Sequence, residues 1–229
     1  MNQGDRYSGE ASTLQDDIAH RNFSIHYCMV MSRILAPVNT VVYGGMTHGR
    51  NMNDQLTASD WLDQGLKTLA KDGFTALKAE PLAKAMRVSR GSFYWHFADI
   101  AAYHAAILAR WHEVAAEQII ANVEAASKDE NPLALLLRRV FSERLMLERA
   151  VRTWASVDPA ARAAVQAIDR RRLSYVESQL TQAGLSAEGA RTRAQILYWA
   201  FLGFALSDQQ LPKARQQAVL DELLRIAAS

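Results

Sequence analysis

The stretch VSRGSFYWHFADI, Val88 to Ile100, decides how this sequence is read. Phe93, Tyr94, Trp95 and Phe97 crowd together with Ser89, Arg90, Gly91 and His96, and Asp99 closes the run. A core helix would not place Arg, Ser and His there, and a surface helix would not carry that many aromatics. One side must fill a core while the other grips something outside. Phe93 and Phe97, one helical turn apart, give an inward apolar face. Arg90, Gly91, Ser92, Tyr94, Trp95 and His96 then fall on or near the outward side.

The residues before this run supply its partner. KAEPLAKAM reads as a short helix with Pro81 in its first turn, where the missing amide costs nothing. Ser89 is placed to cap the helix that follows. Two short helices joined by a tight turn make a helix-turn-helix, whose second helix can enter the DNA major groove. Ala83 is small where the helices must approach, Val88 plugs the turn, and Leu82 and Met86 face the two Phe rings. Arg90 can read guanine edges, Tyr94 and Ser92 can hold phosphates, and Gly91 permits close backbone approach. Lys84, Arg87 and Arg90 are basic, Lys78 lies just upstream, and no acidic residue falls between 84 and 98. Two readings stay open for Trp95, packing on the next helix or meeting DNA. Tyr94 and His96 have a plainer alternative as satisfied core residues.

Around this unit the chain reads as all-α. TASDWLDQGLKTLAKDG is a helix with Leu62, Leu66, Leu69 and Ala70 at helical spacing, Thr57 or Ser59 as cap and Gly73 as stop. Asp99 caps a fourth helix that runs through Ile107, Trp111 and Val114 toward Ala126. NPLALLLRRVFSERLML starts at a capping Asn131. DPAARAAVQAIDRRRLSYVESQLTQAGLS starts at Asp158 and ends at Gly184. AEGARTRAQILYWAFLGFALSD and LPKARQQAVLDELLRIAA follow. The last two helices, about 189–207 and 212–228, are expected to pair with their copies through Leu197, Phe201, Phe204, Leu220, Leu223 and Leu224. Residues 1–51 lack a sustained apolar period and read as a disordered extension or a mis-assigned start, with a regulatory arm as the alternative.

Composition sets the outer bounds. The 229 residues carry a formal net charge of +2, so any basic surface must be local. Cys28 is the only cysteine, which excludes an intrachain disulfide and suits a reducing, cytoplasmic setting. No apolar run is long enough for a membrane span. His96, His104 and His112 are spaced too widely for a metal pair on one helix, so no metal or cofactor is expected. No phosphate loop, Cys-x-x-Cys or His-Glu-x-x-His is present, and no catalytic residue is assigned. Arg170 to Arg172 read as a solvated helix face, paired in part with Asp169 and Glu177. Trp154, Tyr175, Tyr198, Trp199 and Phe201 are open to either reading, core or ligand lining.

GFTALKAEPLAKAMRVSRGSFYWHFADIAAY, within Trp61 to Ile107, resembles the DNA-binding domain of the TetR (tetracycline repressor) family. The resemblance rests on the Gly-aromatic entry, the small-residue second helix, the Val-Ser turn, the Tyr-x-His-Phe recognition helix and the acidic cap of the next helix. It implies a helix-turn-helix domain at 52–102, and a helical ligand-binding and dimerisation domain at 103–229. It also implies a homodimer on a palindromic double-stranded operator, and release by a small-molecule effector. The expected DNA-binding residues are Lys78, Lys84, Arg87, Ser89, Arg90, Gly91, Ser92, Tyr94, Trp95 and His96. The expected ligand lining is Trp111, Trp154, Tyr175, Tyr198 and Trp199. Three positions depart from the family. Arg87 stands where Gly is usual, so either the turn avoids left-handed angles or Arg87 offsets the strain by reaching a phosphate. Lys78 replaces a capping Thr, and Ile100 replaces a Lys. The competing functions are a DNA-binding activator or architectural protein without effector, and a helical enzyme or adaptor.

Overall fold

Thr57 opens the first helix with a capping box. Its hydroxyl accepts from the Asp60 amide at 3.3 Å, and the Asp60 carboxylate accepts from the Thr57 amide at 2.7 Å. The computed structural model describes residues 56–126, 130–141, 145–209 and 211–228, and the expectation for residues 1–51 lies outside them. No strand occurs among the described residues.

Helix α1 (Ala58–Asp72) stops at Gly73, whose φ of 79° suits only glycine without strain. A 3₁₀ turn (Phe74–Ala76) leads to α2 (Ala79–Met86) and α3 (Arg90–His96). Asp99 accepts from the Ala102 amide at 2.7 Å and starts α4 (Ile100–His112). This helix continues through one wide π turn (Glu113–Glu117) into α5 (Gln118–Ala126). Asn131 and Pro132 start α6 (Pro132–Val140), followed by α7 (Met146–Ala155). Asp158 caps the long α8 (Pro159–Gln182), Ser186 caps α9 (Ala187–Leu206), and α10 (Lys213–Ala228) closes the bundle.

The run NPLALLLRRVFSERLML is therefore not one helix. The Phe141 ring is buried and tilted against Phe204 at 5.0 Å, and its carbonyl accepts from the Gln216 side chain instead of continuing a ladder. Helix α7, which sequence periodicity did not separate, begins after this break.

Two apolar cores result. The first joins Trp61, Leu69, Leu82, Phe93 and Tyr103 to Trp111, Val151, Trp154 and Ile168, so the boundary expected between 102 and 103 falls within it. Gly65 is required here. A Cβ on it would lie 2.1 Å from the Tyr103 hydroxyl and 2.4 Å from Ile107 Cδ1, so α1 and α4 touch where glycine leaves room. The Tyr103 hydroxyl donates to the Trp61 carbonyl at 2.8 Å across this contact.

The second core lies among α6, α8, α9 and α10, and it changes the expected pairing surface. Leu197, Phe201, Leu220 and Leu223 are buried inside the subunit, and Phe204 and Leu224 are half-buried against them. They fill their own core rather than a partner's. Helix α9 is apolar on both sides, so its other face carries the exposed stripe: Ile196, Trp199 and Leu206 at helical spacing, with the open Gly203 between them. Trp199 is 64% exposed on that stripe and does not line the interior, contrary to its expected place among ligand-lining residues.

Arg170 to Arg172 also differ from a solvated face. Glu148 on α7, only 4% exposed, accepts from Arg172 at 3.0 and 2.9 Å and from Arg152 at 2.8 Å. Arg152 also reaches Asp169, and the Tyr198 hydroxyl donates to Asp169 at 2.6 Å. Arg172 further donates to the Ala115 carbonyl in the π turn, at 2.9 Å from its nearer nitrogen. Its guanidinium lies 5.2 Å from the Phe201 ring centroid and 6.0 Å from that of Trp111. Burial alone would lower its affinity for the proton. The Glu148 charge and bonds more than offset that and hold the guanidinium above its usual value. Arg171 pairs with Glu117 at 2.9 Å, so of the three only Arg170 is exposed.

Candidate nucleic-acid interface

The turn between α2 and α3 is built by backbone bonds. The Val88 amide donates to the Ala83 carbonyl at 3.0 Å and the Arg87 amide to the Lys84 carbonyl at 3.2 Å. This paired closure requires a left-handed residue after the helix end. Arg87 takes that geometry, with φ 59° and ψ 39°, the only positive φ at a non-glycine among the described residues. The turn thus does not avoid the geometry, and about 1 kcal/mol of local strain is carried by a side-chain-bearing residue. Ser89 occupies the cap position of α3, but its hydroxyl makes no capping bond; the Ser92 amide bonds the Ser89 carbonyl at 3.0 Å instead. Lys78 holds the corresponding position of α2, also without a side-chain cap.

Helix α3 divides by face. Phe93 is fully buried, edge-on to Trp61 at 5.4 Å and to Tyr103 at 5.1 Å, and Phe97 packs on Tyr103 at 4.8 Å. Tyr94, Trp95 and His96 are exposed, so none is a satisfied core residue. Trp95 is 88% exposed and does not pack on α4. Arg90 does not extend freely. It donates to the Tyr94 hydroxyl at 3.1 Å, and its guanidinium lies 5.5 Å from that ring's centroid. This pairing follows from a spacing of one helical turn, and it joins two residues expected to act separately. Ser92 is half-buried, Gly91 is bare, and Lys78, Lys84 and Arg87 are exposed and enter no ion pair among the described residues. The expected residues therefore lie on one basic surface of α2, the turn and α3. That is the form that fits a groove lined by phosphates.

Four of the five residues expected to line a ligand site are buried: Trp111, Trp154, Tyr175 and Tyr198. Trp111 and Trp154 are buried in the first core, with Trp154 stacked on Phe74 at 5.8 Å and meeting His104 edge-on at 5.3 Å. Tyr198 belongs to the buried ion cluster, and burial pushes its hydroxyl well above the usual value. The Tyr175 hydroxyl is buried without a hydrogen-bond partner. A shallow cleft of about 330 Å³ lies elsewhere, between Leu69, Gly73 and Phe74 on one side and Met146, Arg149 and Thr153 on the other. No group of three metal-ligating side chains occurs among the described residues.

A short α2, a left-handed turn and an α3 that buries two Phe while exposing basic and aromatic residues define a helix-turn-helix DNA-binding protein. The sequence pattern of the family described as bacterial regulatory proteins, tetR family, matches residues 62–102 of this chain, the stretch that holds the helix-turn-helix. Solved structures share the fold. E. coli NemR in its reduced form superposes with a TM-score of 0.56 at 19% identity, covering 75% of this chain and 93% of that one. A TetR-family regulator from Rhodococcus sp. gives 0.55 at 17%, covering 75% and 98%. A protein of Streptomyces coelicolor A3(2) assigned to transcriptional regulation gives 0.52 at 21%, covering 74% and 96%. At these identities the likeness is one of fold. No curated protein matches the chain in sequence.

Proposed function

We propose that this regulator is a cytoplasmic homodimeric repressor that binds a palindromic operator and is released by a small molecule. The observation that carries the DNA part is the outward face of α3 with the unpaired Lys78, Lys84 and Arg87 beside it. Lys84, Arg87, Ser89, Ser92, Tyr94 and His96 hold phosphates, and Gly91 and Trp95 approach the bases, with Arg90 bonded to Tyr94 on the flank. The exposed stripe of α9 supports the dimer. A helix that leaves Ile196, Trp199 and Leu206 in water gains by covering them, and two copies can cover each other isologously. Two recognition helices then meet half-sites one helical turn, about 34–36 Å, or a multiple apart.

Release is supported by the path from the interior to α4. Arg172, held by Glu148, bonds the Ala115 carbonyl of the π turn that continues α4 and faces the Trp111 ring, and α4 packs on α1 through Gly65. A ligand that prefers a displaced α4 must weaken operator binding by the same factor by which operator weakens the ligand. The test measures operator affinity with and without a compound that raises the melting temperature, and the compound's affinity with and without operator. A compound that binds the interior but leaves operator affinity unchanged removes the release mechanism. That result favours the activator or architectural reading.

A further inference from the structure

We infer that Trp95 is the residue that reads operator sequence, and that it reads thymine. The inference rests on the DNA-binding reading above and names the base chemistry of that same surface. At about 100° per residue, with Phe93 pointing inward, Gly91 and Trp95 each lie within about 20° of the outward pole of α3. Tyr94 and Ser92 fall on the two flanks, facing groove walls rather than groove floor. Arg90 lies nearer the core side than either and is tied back to Tyr94 by a 3.1 Å bond and ring contact.

Gly91 leaves this pole open to the close approach of something outside the protein. Its φ is not positive, and a Cβ there would find only the Ser89 hydroxyl oxygen at 3.6 Å. The fold does not need glycine at this place, and glycine in a helix is about 1 kcal/mol worse than alanine. A bare backbone one turn before an indole lets a partner surface come close and brings Trp95 against its floor.

The indole selects among bases by what it lacks. It has an apolar body, one N–H donor and no acceptor. In the major groove guanine offers two acceptors, of which one would be left unmet. Adenine and cytosine each offer an amino donor that the indole cannot satisfy. Thymine alone offers one acceptor, O4, beside an apolar group, the C5-methyl. The indole N–H pairs with O4 while the ring covers the methyl.

The test uses the full chain and duplexes recovered by it from a randomised DNA library. Each thymine of the recovered site is replaced singly by deoxyuridine, which removes only the methyl. One thymine per half-site should weaken wild-type binding by about four-fold when replaced, the worth of one buried methyl. Trp95→Ala should bind that site more weakly, show no uracil effect there and recover sites with no preference at that position. Trp95→Phe should keep the uracil effect, because it keeps the apolar cover. Melting temperatures should stay level, since the side chain packs on nothing. If a site is recovered but wild type and Trp95→Ala respond alike to every uracil, the thymine reading is overturned and the regulator reading stands. If no duplex is enriched over the library, both fall.

Discussion

Removing the Glu148 carboxylate should be the most damaging single truncation outside the apolar cores. Glu148 is 4% exposed and takes three N–H bonds from Arg152 and Arg172. Arg152 keeps Asp169 when Glu148 is lost, but Arg172 keeps no carboxylate, and its side chain is only 15% exposed. An unpaired charge at that depth costs about 3–5 kcal/mol. For a chain of this size each kcal/mol lowers the melting point by about 2–4 °C, so Glu148→Ala should lose roughly 6–20 °C. Urea unfolding at matched protomer concentration is the assay, because a dimer's stability depends on concentration. Replacing the pair together, Glu148→Leu with Arg172→Met, should recover most of the loss, since no charge is then stranded. A single Glu148→Ala cost below about 1 kcal/mol, the range of exposed pairs, would show that water reaches Arg172 and would refute the argument.

Arg87→Gly should raise stability by about 1 kcal/mol by relieving the left-handed turn, while weakening binding to all duplexes alike through a lost phosphate contact; equal affinity for wild type and variant in a salt titration would remove that contact. Gly91→Ala should leave melting temperature level or higher yet weaken operator binding, and unchanged affinity would show that DNA does not approach there. Trp199→Glu should yield folded monomers by sedimentation, with helix content retained by circular dichroism, and a persisting dimer would place the interface elsewhere. Gly65→Ala should lower stability by about 1–3 kcal/mol through overpacking against Tyr103 and Ile107, and a melting scan that shows no loss would mean α4 gives way freely.

The DNA-binding unit was legible because its signals are local. Phe93 and Phe97 announce the inward face by spacing, Asp99 and Thr57 announce helix starts, and Ala83 and Val88 mark the turn. Of the two outcomes open for Arg87, the structure has the strained one. What was not legible depends on distant partners. Glu148 and Arg172 lie 24 positions apart, and nothing in a run of three arginines says that one of them turns inward. Helix α9 gave an ambiguous signal because from Ile196 to Leu206 it is apolar around its whole circumference. Periodicity could not tell which side meets its own core, so Leu197 and Phe201 were expected at a partner and Trp199 in the interior, the reverse of their burial. Trp61 and Trp154 share a core across the expected 102/103 boundary, a contact between residues too far apart in sequence to announce itself.

The placement of the tryptophans has an optical consequence. Of the five in the chain, Trp61, Trp111 and Trp154 are buried, while Trp95 and Trp199 stand in water on two separate surfaces, the outward pole of α3 and the outer stripe of α9. The buried three should emit at short wavelength and answer only to unfolding. The exposed two should emit to the red and be open to aqueous quenchers. With Trp199 replaced by Phe, which keeps the apolar stripe, the quenchable emission belongs to Trp95 and becomes a label-free signal for duplex binding. With Trp95 replaced, it belongs to Trp199 and follows self-association upon dilution. Two single-site variants thus separate, in one cuvette, two equilibria that gel shifts record only as a product.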